Sequence, residues 1–166
     1  MSADILQRLY QNLQACHQVY SRLLDVAERK RAHLVGNDVT ALREDLREEE
    51  RLAGMGAQLA SERNRLHGEC AARLRPGAHV RSLGELTPAM PDGWRTRFDS
   101  ERRALRRTIE RLQEINKVNV ILINNSIEMM QGLLAAMFDA EPTAGYGRNG
   151  MRPQPQFLRH TLDARA

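Results

Sequence analysis

From the fifth residue, apolar side chains recur as Ile5, Leu6, Leu9, Leu13, Cys16, Val19, Tyr20, Leu23, Ala27 and Leu34. The steps alternate mainly between three and four, which keeps one helix face apolar over several heptads. Ser2 stands where an N-cap belongs. Gly36 then suits the left-handed conformation after a helix C-terminus, and Asn37 or Asp38 suits the next N-cap. A second helix follows with Val39, Leu42, Leu46, Ala53, Leu59, Leu66 and Leu74. Its seam is weaker. Glu49 and Glu50 fall near an expected apolar position, and Gly54 and Gly56 lower helix propensity. The small residues around them (Ala53, Ala57, Ala60) either admit a close neighbour or mark a kink.

The segment from Arg75 to Gly93 holds three prolines and three glycines and is a connection. Within it Ser82-x-x-Glu85 predicts a capping box over one helical turn, and Asp92 can cap the third long helix. That helix should run from about Trp94 to Phe138, roughly 45 residues and close to 70 Å. Beyond Asp139 the helical period stops and glycine and proline return, the composition of a flexible tail. The expected architecture is all-α: an antiparallel three-helix coiled-coil bundle over 1–138, with helices at about 3–35, 38–74 and 93–138, and a flexible C-terminal tail over 139–166.

The third helix carries an anomaly. Between Glu114 and Met130 four of seventeen residues are asparagine, a mediocre helix former that is costly to bury unpaired. On a wheel of about 100° per residue centred on Leu105, one stripe holds Trp94, Phe98, Ile109, Leu112, Ile123, Ile127, Met130, Leu134 and Met137. Asn116 and Asn119 lie in the middle of it, whereas Asn124 and Asn125 point away. A second strip of Ile115, Val118, Leu122, Met129 and Leu133 widens the apolar arc to about 200°, beyond the ~100° a surface helix usually buries. The surplus suits a partner's helix, and Met129, Met130 and Met137 suit an adaptable face. Asn116 and Asn119 then read as specificity devices, which lower stability but fix register.

Composition narrows the class. The chain is 166 residues long, 42% hydrophobic and only 4% aromatic, which disfavours a thick globular core. Its net charge is +4, and all basic residues except Lys30 and Lys117 are arginine. The N-terminus lacks the pattern of a signal peptide, and no apolar stretch reaches the ~18 residues of a membrane span, so a cytoplasmic protein without membrane insertion is expected. Cys16 and Cys70 raise the question of a disulfide or a metal site with His17 and His67. A hairpin turning near Gly36 sets Cys16 opposite residue 56, leaving roughly 21 Å to Cys70 along the helix, far past the ~7 Å a disulfide spans. Free thiols are expected, with no metal site and no cofactor. His33, His79 and His160 have no partners at ligand spacing.

The residues Glu114–Ser126, with Asn116-x-x-Asn119 followed by Leu122-Ile123-Asn124, resemble the FlgN family of flagellar export chaperones. Asp38-Val39-Thr40-Ala41-Leu42 opens the second helix as in that family, and Ser61-Glu62-Arg63 is loosely similar to its Glu-x-x-Arg-like stretch. Tyr146-Gly147-x-x-Gly150 and Leu162-Asp163-Ala164-Arg165 resemble the tail of many members. Gly54, Gly56 and the long proline-rich connection depart from the family pattern. The resemblance implies a chaperone that binds the C-terminal helical segment of hook-associated (hook–filament junction) proteins. It also implies delivery of that client to the flagellar type III export gate and its ATPase complex. On this reading Ile109, Leu112, Asn116, Asn119, Ile123, Ile127, Met130 and Met137 contact the client. Tyr146 docks to the export gate, and Phe157, Leu158 and Leu162 cover the empty groove.

Two other classes stand beside it. Arg102, Arg103, Arg106, Arg107 and Arg111 form a basic cluster that raises nucleic-acid binding. Glu101 and Glu110 dilute it, no aromatic side chain interleaves, and ion pairs with the acidic run Arg43–Glu50 of the second helix are expected instead, so no nucleic-acid partner is expected. A structural coiled coil of a secretion apparatus would be a constitutive oligomer, and the sequence leaves homodimerisation through the surplus face open. Enzymatic activity has no support: there is no catalytic triad order, no phosphate loop after a strand and no carboxylate cluster in a plausible pocket, the Glu48-Glu49-Glu50 run reading as a solvated helix face.

Overall fold

The computed structural model describes residues 2–138, with side chains from Asp4 onward, and every regular element among them is helical. Helix α1 spans Ser2–Gly36, α2 Val39–Leu74, the single turn α3 Leu83–Leu86, and α4 Asp92–Phe138, with a 3-10 turn at Thr87–Ala89. The expected tail, with Tyr146, Phe157, Leu158 and Leu162, lies outside the described residues. Contacts divide the chain into two units, residues 1–128 and 129–166.

Local chemistry sets the element ends. The Asp38 carboxylate accepts from the Ala41 amide at 3.0 Å and caps α2. Gly36, expected to take the left-handed conformation, is instead the last residue of α1, and Asn37 takes it with φ 56°. Asparagine tolerates that region better than other non-glycine residues. The capping box forms in a shifted version: the Glu85 amide donates to Ser82 Oγ at 3.3 Å, and the Glu85 carboxylate accepts from the Arg81 amide at 2.9 Å. Helix α2 runs unbroken through Gly54 and Gly56. A Cβ on Gly56 would sit 3.8 Å from Val19 and one on Gly54 would meet nothing, so packing requires glycine at neither.

In the first unit α1 is the shared element. Asn12 Nδ2 donates to the Leu59 carbonyl at 3.1 Å, and Arg29 and Lys30 pair with Asp45 at 3.0 Å and Glu49 at 2.6 Å. Rising numbers on α1 thus meet falling numbers on α2. Glu49, which weakened the apolar seam, holds the nearly buried Lys30. The first half of α1 (Ile5, Leu6, Leu9, Leu13, Cys16) enters one cluster with Leu66 and Cys70 of α2, Leu86, Met90, and Phe98 and Leu105 of α4. Tyr10 packs edge-on against Phe98 and Trp94, with centroids 5.4 and 6.0 Å away.

The second half of α1 is packed differently. Val19 and Val26 meet Leu52 of α2 in one cluster, while Ala27 meets Leu112 and Ile115 of α4 in another. Leu23 borders both. No single core is shared by the three long helices at this level.

Cys16 and Cys70 are free and buried. Burial pushes the Cys70 thiol up to about 11, against the pull of Arg73 and with a smaller push from Glu69. Burial also raises Cys16, opposed by Arg63. Both thiols therefore stay protonated at neutral pH, and thiolate is the reactive form. An aromatic disulfide reagent should leave both unmodified in the native chain and titrate both in denaturant. Phe98→Ala, at the centre of the main cluster, should lower the unfolding free energy by about 3–5 kcal/mol in chemical denaturation.

Candidate functional site

The buried face of α4, which meets Tyr10, His17 and Ala27 of α1, repeats every seven residues: Phe98, Leu105, Leu112 and Asn119 are all buried, joined by Ile115 three residues after Leu112. A strict heptad is the spacing of a two-helix seam, tighter than the 3.6 of a free helix. Three positions along the contact are polar, and each has a partner. His17 Nδ1 lies 2.6 Å from Glu101 and its Nε2 3.2 Å from Thr108 Oγ1. Asn119 Nδ2 donates to the Ala27 carbonyl at 2.9 Å, while Asn119 Oδ1 is buried without a partner.

Asn119 is the last buried residue of α4. Of the fifteen exposed large hydrophobic side chains among the described residues, eleven lie between Val118 and Phe138. The surplus face is thus concentrated at one end of one helix. In the first unit it comprises Val118, Val120, Ile121, Ile123 and Ile127, between 39% and 57% exposed. In the second unit every described residue, Met129–Phe138, is exposed.

The residues expected to contact a partner separate accordingly. Ile109 packs at the edge of the main cluster, and Leu112 is buried against α1. Asn116 is half-buried, whereas Asn119 is spent on α1. Ile123 and Ile127 are exposed in the first unit, and Met130 and Met137 in the second. Tyr146 lies outside the described residues. A wheel at 3.6 residues per turn merged two seams. Ile115, assigned to the flank, is buried, and Val120, left unassigned, is exposed. The missed signal was a second series of three and four, Val120-Ile123-Ile127-Met130-Leu134-Met137, offset by one residue from the buried heptad.

Two further expectations are corrected. The acidic run of α2 pairs with α1, not with the arginines of α4: Glu48 binds Arg22 and Arg29 at 3.0 and 2.7 Å, and His33 Nδ1 lies 2.7 Å from Asp45. Arg29 first, then Arg22, hold the Glu48 carboxyl below its usual range. The cluster's own pairs are mostly local, with Arg102 on Asp99 at 3.3 Å and Arg111 on Glu114 at 3.2 Å, and Arg111 also reaches Glu28 of α1 at 4.0 Å. Also, α4 does contain an 18-residue window of mean hydropathy 1.3, none of it buried, long and apolar enough for a membrane span. The isoleucines, leucines and methionines outweigh the interspersed asparagines in that average. No group of three His, Cys, Asp or Glu side chains gathers to hold a metal among the described residues.

Comparison with family models matches residues 1–154 to the model described as FlgN protein. No curated protein and no solved structure matches the chain.

The two seam asparagines should behave differently on truncation. Asn119→Ala removes a buried hydrogen bond across α1 and α4 and should lower stability by about 1–2 kcal/mol. Asn116→Ala, half-buried, should change it by less than about 0.5 kcal/mol. Urea denaturation of the two variants measures both.

Proposed function

The chain belongs to the FlgN family, the flagellar export chaperone family, and from that premise we propose which surface serves the client and what the client is. The client is the C-terminal helical segment of hook-associated proteins of the hook–filament junction. It docks in the cytoplasm on the apolar face of α4 that begins at Val120, within an antiparallel bundle of the three long helices. The chaperone keeps that segment from associating early and delivers it to the flagellar type III export gate and its ATPase complex. Tyr146 is the docking residue for the gate.

The observation that supports this reading is the exposure of Val120, Ile123 and Ile127, at 56%, 39% and 44%, on a helix whose neighbouring face is buried. Their spacing is that of a coiled-coil seam, so the surface that fits them is another amphipathic helix. A client helix that polymerises through its own apolar stripe has that chemistry. A bilayer fits less well. Asn124, Asn125 and Glu128 lie in the same stretch and would each lose water in hydrocarbon without a partner.

In this arrangement Leu112 and Asn119 support the face and do not form it. Asn119 anchors α4 to Ala27 immediately before the exposed series starts. Ile109 and Asn116, partly accessible, border it. Met130 and Met137, exposed in the second unit, are by themselves soft, adaptable side chains for a client helix. A second copy of the chain is a competing occupant of the same face. A family of chaperones calls for binding and release, and no catalytic role is proposed.

Isothermal titration with the client's C-terminal segment tests the assignment. Ile123→Asp with Ile127→Asp removes two side chains each worth about 1.5–3 kcal/mol when buried, so affinity should fall roughly a hundredfold or more. The unfolding midpoint should stay within about 2 °C, because neither side chain is buried in the free chain. Unchanged affinity would move the site elsewhere. Truncation after Ala140 should alter client affinity, and Tyr146→Ala should spare client binding while weakening capture by the isolated gate domain.

A further inference from the structure

Well before Val120 along the first unit, a cavity of about 310 Å³ opens between α1, α2, the first part of α4 and the connection that precedes it. Its charged lining is of one sign. Arg63, Arg81 and Arg102 border it together with His67, and no carboxylate does. Its floor is apolar, formed by Leu13, Leu83 and Leu105 among others.

The cations are poorly compensated. Arg63 and Arg81 have no side-chain ion pair among the described residues, and the polar neighbour that Arg63 does have is the Cys16 thiol, kept neutral by burial. Arg102 is held by Asp99 at 3.3 Å, and its guanidinium lies over Gly84, where a Cβ would fall 2.5 Å from Nη1. His67 Nε2 is shut off from solvent without a hydrogen-bond partner. A buried imidazole nitrogen of that kind costs free energy until something pairs with it. Three guanidiniums offer planar, forked donors matched to an oxyanion. The leucine floor asks for an apolar body beside that anion, and no aromatic side chain is present to stack a base.

We infer that this cavity is a binding site for an acidic peptide segment, a glutamate or aspartate side chain flanked by an aliphatic one, on a partner separate from the helix that docks on α4. The carboxylate sits among Arg63, Arg81 and Arg102, the neighbouring aliphatic side chain rests on Leu83 and Leu105, and Ser82 completes the polar contacts, with the His67 ring in the cavity wall as a reporter. The site shares no residue with the α4 face from Val120 onward, so both can be filled together.

The probe is the peptide acetyl-Leu-Glu-Leu-amide, titrated into the full chain while the His67 ring resonances, assigned with His67→Gln, are followed by NMR. The Glu peptide should shift them saturably at millimolar concentration. The Gln counterpart and inorganic phosphate should bind at least about tenfold more weakly. Arg81→Gln, in the exposed connection and harmless to the core, should weaken the peptide about tenfold, and Arg63→Gln similarly. No saturable shift, an equal response to the Gln peptide, an equal response to phosphate, or unchanged affinity in both arginine variants would each overturn the site.

Discussion

The contact between Asn119 and the Ala27 carbonyl marks the point on which the arrangement turns. Up to that point α4 buries one face in steps of seven, Phe98 and Leu105 in the cluster shared with α1, α2 and the connection, and Leu112 beside Ala27 of α1. Beyond it no side chain of α4 is buried among the described residues. A leucine at position 119 would extend the apolar seam, whereas an amide ends it with one directed hydrogen bond and one oxygen left unpaired. Polar residues at seam positions commonly trade stability for register. Here the register being set is that of the chain's own helices, which decides where the free face of α4 begins.

Helix α1 makes this possible because it is asymmetric along its length. Its first half is surrounded, with Leu6 and Leu9 almost wholly buried among all the other elements of the first unit. Its second half has two separate apolar contacts, one for each long neighbour, and charges between them. The ion pairs of Arg22, Arg29 and Lys30 with Asp45, Glu48 and Glu49, together with the His33–Asp45 contact, zip α1 to α2 there. Partly exposed pairs of this sort contribute little each to stability, but they fix the pairing of two helices whose apolar seam is thin. The consequence is a firm base and a lightly held end.

Much of this was legible in the residues. The all-helical class followed from the three-and-four spacing, and the caps at Asp38 and Ser82 from their side-chain chemistry. The family resemblance rested on the asparagines of α4 and on the tail motif. What could not be read was which apolar residues of α4 faced inward. Two seams one residue apart differ by only about 100° on the wheel, and an average at 3.6 residues per turn blends them. Ile115 and Val120 were misjudged for that reason. The partners of the acidic run were equally hidden, because charge alone does not say which of two basic helices lies opposite. The turn at Gly36 failed for a local reason: Asn37 can take the same backbone region, and it does.

The central claim is that the stretch of α4 after Asn119 carries an apolar face left empty for a client helix. Amide hydrogen exchange along α4, with and without the client's C-terminal segment, tests it most directly. The account predicts slow exchange near Leu105 and Leu112 in both states, and fast exchange from Val120 onward that becomes strongly protected when the segment is added. Equal protection of Val120–Ile127 in the free and mixed samples would contradict it.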